Sequence, residues 1–215
     1  MSPAEVTAAA SIDGAPFEST ARGYRLLGDL IGRREDAEVL ARYSEQTIET
    51  ITNRIAVVPK DRRPRIYFAR GPRGLETGLG GSITVETIEF LAQNVAGETR
   101  GGLGNVSIEQ VLVWNPEVIV TIDRDFAAKV YDDPAWATIA AVRAHRVHLS
   151  PKLPFGWVDF PPSVNRLIGL WWLAKILYPS LFSENLSLLT REFYEKFYHV
   201  RVTDQQIDRV LAGRD

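Results

Sequence analysis

The chain has 215 residues, 25 Lys and Arg against 27 Asp and Glu, 45% hydrophobic residues and no cysteine, the composition of an ordinary soluble globular protein. The near-balanced charge leaves no basic excess for nucleic acid, and the lack of cysteine excludes disulfides, thiolate zinc sites and cysteine nucleophiles together. A fold of this length buries roughly 70% of the surface its unfolded chain exposes, so a sizeable core needs no covalent staples.

At the amino end, "MSPAEVTAAASIDGAPFES" lacks the basic start and the apolar stretch of about 7 to 15 residues that mark a secretory signal. Residues 1–18, rich in small residues, read as a flexible tail. From residue 19 to Ile55 apolar or small residues recur at helical spacing, at Ala37, Leu40, Ala41, Ser44, Ile48, Ile51 and Ile55, and "LIGRRED" interrupts them at Gly32. This predicts two helices, the second long and amphipathic. "RIYFAR" (65–70) is short, β-branched and aromatic, as expected of a strand entering the core. A helix over roughly 84–93 and a Gly-rich loop follow.

Ser107 with Gln110 three positions on reads as a capping box, so a helix starts there and stops before Pro116. "VIVTID" (118–123) has the continuous apolar run of a fully buried strand. A helical stretch broken at Pro134 leads to a third strand, "RVHLSP" (146–151). Next comes "PFGWVDFPPSVNRLIGLWWLAKILYP", the most apolar run in the chain. Its apolar part, Leu167 to Tyr178, contains Lys175 and is far short of the about 20 apolar residues that span a bilayer. Pro161 and Pro162 suit the first turn of a helix that is apolar nearly all round, hence covered on most sides. Two amphipathic helices end the chain, one placing Leu186, Leu189, Phe193, Phe197 and Val200 on one face, the other starting at Thr203 or Asp204. Strands alternating with helices predict an α/β fold: a mostly parallel sheet holding 65–70, 118–123 and 146–151, helices on both faces, and a helical segment ahead of it.

Catalytic motifs are scarce. "GPRGLETGLGGS" (71–82) lies between a strand and a helix, where phosphate-binding loops sit, but Gly78 and Gly80 are followed by Ile83 rather than a third glycine, and no Walker lysine is present. His145, His148 and His199 do not form a ligand set, and no H-E-x-x-H or G-x-S-x-G occurs. No cofactor and no metal site is expected. The remaining candidates lie at the carboxyl ends of the strands, where open α/β sheets bind ligands: Arg70, Arg73, Glu76 and Thr77 after the first strand, and Phe155, Trp157 and Asp159 after the third. They either contact a ligand together, or Trp157 covers the core and the arginines are solvated.

Four segments in order, "RPRIYFARGPRGLETGLGGSITVETIEFLAQNVAG", "GNVSIEQVLVWNPEVIV", "DPAWATIAAVRAHRVHLSP" and "PPSVNRLIGLWWLAKILYP", resemble the substrate-binding proteins of ABC importers for iron-siderophores, haem, cobalamin and molybdate or tungstate. The resemblance runs from about Tyr24 to Pro179. In that family two α/β lobes are joined by one long helix, with the ligand between them. The resemblance implies that residues 19–58 hold the connecting helix and 59–215 one Rossmann-like, carboxy-terminal ligand-binding lobe, with no counterpart of the first lobe in residues 1–23. It implies a small metal-containing ligand, a membrane permease as partner, a periplasmic or lipid-anchored extracellular location, and no enzymatic activity. Glu109, in the "VS-x-E" position, would dock on an arginine of the permease. His145 stands where the family has Gly or Asn in a tight turn, a place for positive φ. Two rivals are a nucleotide-binding or enzymatic doubly wound domain, supported by the Gly-rich loop alone, and an interaction domain that pairs through the surface a first lobe would cover.

Overall fold

The structure, a computed structural model, describes residues 17–159 and 161–213. It opens with a helical hairpin, α1 (Phe17–Ile31) and the long α2 (Arg34–Ile55), turning at Gly32. The first helix begins two residues earlier than the periodicity predicts, because Phe17 is buried against Phe90 and under the Arg166 guanidinium, and its N–H donates to Glu86. The remainder of the predicted tail lies outside the described residues.

Four parallel strands form the sheet in the order β3, β1, β5, β6, where β1 is Arg65–Ala69, β3 Gln93–Asn94, β5 Val118–Thr121 and β6 Val147–Leu149. The three predicted strands are all present. Both faces of the two central strands are buried, as parallel strands under crossover helices must be. Ile66, Phe68, Val118 and Val120 point to one face, into a core completed by α2, α3 (Glu86–Leu91), α7 (Arg166–Leu177) and α8 (Leu186–Tyr198). Tyr67, Ala69 and Ile119 point to the other, under α4 (Ile108–Trp114), α5 (Arg124–Lys129) and α6 (Ala140–Arg143). The chain ends in α9 (Asp204–Leu211), whose Thr203 and Gln206 close a complete capping box. At α4 the Ser107 half of the predicted box is made, Gln110 N–H donating to Ser107 Oγ.

Four local expectations are corrected. The predicted helix over 84–93 is a 3-10 turn at Ile83–Val85 followed by α3, and Gln93–Asn94 is the edge strand β3. The segment 71–82 is no simple loop: Glu76–Gly78 is a strand, β2, paired antiparallel with β4 (Leu103–Asn105), and Arg70 and Glu76 exchange backbone hydrogen bonds at its start. The apolar helix α7 begins at Arg166, not at the Pro161–Pro162 pair, because Asn165 donates its side-chain amide to the carbonyls of Leu153 and Phe155 and holds the preceding residues in turns. Val200 falls beyond α8, which stops at His199 in the left-handed region. Ten of the twelve residues of α7 are buried, consistent with its apolar periphery. His145 does adopt positive φ, 53°, its ring stacked on Tyr131 at 5.0 Å.

Candidate functional site

The carboxyl end of β1 runs directly into Arg70, and β2 folds back so that Glu76 faces it. The loop after β6 crosses above and delivers Asp159 to the same place. Arg70 Nε lies 3.1 Å from one Asp159 oxygen, and its Nη1 lies 3.3 Å from Glu76. Asp159 has no exposed surface and Arg70 almost none. The site thus holds a buried guanidinium between two carboxylates, beside Thr77, which is also fully buried. The polar atoms are poorly satisfied. Arg70 Nε and Nη1, Thr77 Oγ1 and both Asp159 oxygens are buried without a well-aligned hydrogen bond. Burial raises the Asp159 carboxyl to about 6, against the pull of Arg70 and helped by Glu76.

The sequence candidates therefore divide. Arg70, Glu76, Thr77 and Asp159 come together at the carboxyl end of the sheet. Arg73 is exposed three residues further along the same loop, and Phe155 is 43% exposed on the other. Trp157 lies inside the core with no exposed surface, its indole N–H donating to the Leu153 carbonyl. That carbonyl also accepts from Asn165 and from the Tyr194 hydroxyl, and so organises the whole 153–165 turn.

Two residues outside the candidate set belong to this neighbourhood. Arg166, at the start of α7, is buried and ion-paired to Glu86, and it acts on Asp159 through its charge. Charges therefore alternate through the interior as Glu76, Arg70, Asp159, Arg166 and Glu86, and the last accepts from the N–H of Phe17 at the start of the helical hairpin. The signal for Arg166 was an arginine opening an otherwise apolar helix, which needs a buried counter-charge.

Glu109 is exposed in the first turn of α4, and its bond with Ser107 holds its carboxyl below the usual range. The start of α4 is tied to the carboxyl end of β1, since Val106 N–H donates to Leu75 O within the loop that carries Arg70 and Arg73. Among the described residues no group of His, Asp and Glu is arranged to hold a metal ion, and no helix is long and apolar enough to cross a membrane. His148 Nε2 is buried without a partner in β6, and burial, then Arg146, lowers its pKa.

Comparison with known proteins agrees with this architecture. The model of the periplasmic binding protein family matches residues 5–153. The molybdate-binding protein MolA of Haemophilus influenzae is 32% identical over 190 residues, 86% of this chain and 53% of MolA. An uncharacterized ABC transporter substrate-binding lipoprotein of Bacillus subtilis, YvrC, is 26% identical over 80% of this chain and 54% of its own length. The chain thus spans about half the length of these curated relatives. In structure, an ABC transporter solute binding protein from Sulfurospirillum deleyianum superposes with a TM-score of 0.83 at 30% identity, over 88% of this chain and 60% of that one. MolA bound to molybdate superposes with a TM-score of 0.74 at 31% identity, over 90% and 60%. With the family model spanning well over half of its residues and the same fold in these neighbours, the chain belongs to the periplasmic binding protein family.

Proposed function

We propose that this chain is the carboxy-terminal lobe, with its connecting helix α2, of the substrate-binding component of an ABC importer, and that its cargo is a metal oxyanion of the molybdate or tungstate kind. The observation that carries the reading is the match to MolA along 86% of this chain. The wider class of cargo is a metal complex or metal oxyanion, iron-siderophore, haem, cobalamin or molybdate and tungstate, and within it the oxyanion is the favoured member. The loop after β1 supports it: exposed Arg73 supplies a guanidinium donor suited to forked hydrogen bonds with oxyanions, at the sheet end where such folds bind ligands, while buried Arg70 is held by Asp159 and Glu76. Phe155, from the facing loop, would wall the ligand, while Trp157 and Asp159 hold that wall from within. The protein binds and hands over; it does not catalyse. Its place is the periplasm or the outer face of the membrane by a lipid anchor, as the name of the YvrC lipoprotein supports. The Gly-rich segment gives the nucleotide alternative no support, since it is committed to β2 and its pairing with β4.

One lobe supplies only part of a ligand shell. Calorimetry on this chain with molybdate and tungstate is expected to give dissociation constants in about the millimolar range, near −4 kcal/mol, and with ferric siderophores, haem and cobalamin no heat. Arg73→Gln should abolish the oxyanion signal. Sub-micromolar binding that survives Arg73→Gln would place the site elsewhere, and preference for a siderophore would overturn the choice of cargo.

The permease partner is proposed through Glu109. Glu109→Ala should leave the melting temperature within about 2 °C of the parent, as exposed surface changes do. In a transport assay with the full receptor and its permease it should cut uptake severalfold without changing oxyanion affinity. Undiminished uptake would remove Glu109 from the docking contact.

A further inference from the structure

A second concavity lies on the far side of the 153–165 turn, between that turn, the end of α8 and one face of α9. Its volume is about 410 Å³, within the roughly 300–1,000 Å³ usual for small-molecule pockets. Leu153, Pro154, Tyr194, Tyr198 and three valines, Val200, Val202 and Val210, make its walls, with Gln206 and Arg209 completing the lining. The two tyrosines present ring surface rather than hydroxyls, because Tyr194 donates to the Leu153 carbonyl and Tyr198 to the Asn165 side chain. Arg209 is the only charged residue in this lining, and among the described residues it has neither an ion pair nor a hydrogen bond. It stands on the same face of α9 as Gln206 and Val210, so its reach is along the cavity wall. An apolar hollow with one uncompensated guanidinium at its rim matches an apolar body carrying one negative charge.

The geometry points to a second binding site in this cavity, for a small carboxylate with an aliphatic or aromatic body, its acid group on Arg209 and its body between Pro154, the tyrosine rings and the valines. The site shares no residue with the Arg70 cluster, and it stands whether or not the oxyanion reading does. It is nonetheless joined to that cluster. The Leu153 carbonyl on the cavity wall is the acceptor of both Tyr194 and the Trp157 indole, two residues before Asp159. Occupancy therefore registers at Trp157, which makes its indole N–H a reporter buried away from the ligand.

The test is an NMR titration of the whole chain with 3-phenylpropanoate and hexanoate, each beside its neutral amide. The acids are expected to give saturable shifts at Val202, Gln206 and the Trp157 indole N–H, and to bind about fivefold tighter than the amides, the difference between a charged and a neutral hydrogen bond. Arg209→Gln should bring acid and amide to equal affinity. Val200→Trp, at a residue 47% exposed on the rim, should close the cavity and remove the shifts without disturbing the core. Equal binding of acid and amide by the parent, shifts centred outside the cavity, or no saturable shift at any ligand concentration up to tens of millimolar would each overturn the site.

Discussion

Gly169→Ala should destabilise the protein by about 3 kcal/mol, lowering the melting temperature by roughly 6–12 °C. Helix propensity alone forecasts the opposite, since replacing a mid-helix glycine by alanine gains about 1 kcal/mol. Packing decides the sign. A Cβ on Gly169 would sit 1.7 Å from the carbonyl oxygen of Trp157 and 2.7 Å from its carbon, both backbone atoms that cannot swing aside. To admit the methyl group, α7 must retreat from the 153–159 turn, and Trp157 with the Leu153 carbonyl would lose its place. Gly102→Ala is the control, because a Cβ there meets nothing within 4 Å. Urea melts of the two variants separate the readings: equal stability would show that α7 and the turn have slack that the close contact belies.

The second large effect concerns Asp159 and pH. Its carboxyl titrates near 6 in the fold and at 3.8 unperturbed, so between those values the folded protein holds a proton that the unfolded chain has released. The associated stability is fully present below about 3.8 and is lost as pH rises through 6, up to about 3 kcal/mol for a shift of some two units in a buried group. Half-buried Glu38 and exposed Glu45, whose pKa values are lowered by Arg25, act at lower pH and in the opposite sense. Denaturation between pH 5 and 8 is expected to show stability falling with pH in the parent and flattening in Asp159→Asn. Arg70→Met leaves Asp159 without its nearest cation. It should cost about 3–5 kcal/mol at pH 8, and less at pH 5 where the acid is neutral. A parent protein whose stability rises from pH 5 to 8 by the amount Asp159→Asn removes would reverse the assignment.

Both effects centre on the turn that the sequence described least well. Long periodic signals transferred directly: α2, the buried run of β5 and the uniformly apolar α7 were legible because burial on one face or all round leaves a repeating pattern. β3 was not, since Gln93 and Asn94 are two polar residues at a sheet edge, with neither alternation nor β-branching. β2 and β4 hide in the same way among glycines. At the site, the carboxyl-end position of Arg70 and Glu76 followed from the strand before them. The depth of Trp157 did not, because an aromatic in a Gly/Pro-rich turn has no neighbours at regular spacing to separate inside from outside. The Arg70–Asp159 contact joins residues 89 positions apart in sequence and depends on how the turn after β6 crosses the sheet, which local chemistry does not fix.

The connectivity of the sheet also sets the order in which this chain can fold. Strand β1 finds its main neighbour, β5, only after some fifty further residues have been added, and β6 must come later still. The apolar face of α2 waits longer, for α7 and for the residues around Leu181 and Glu184, which receive Arg54 across 127 positions of sequence. Contacts so distant make closure slow, in the manner of parallel α/β sheets. The packing of α2 is therefore complete only once α7 and the residues around Leu181 and Glu184 are in place.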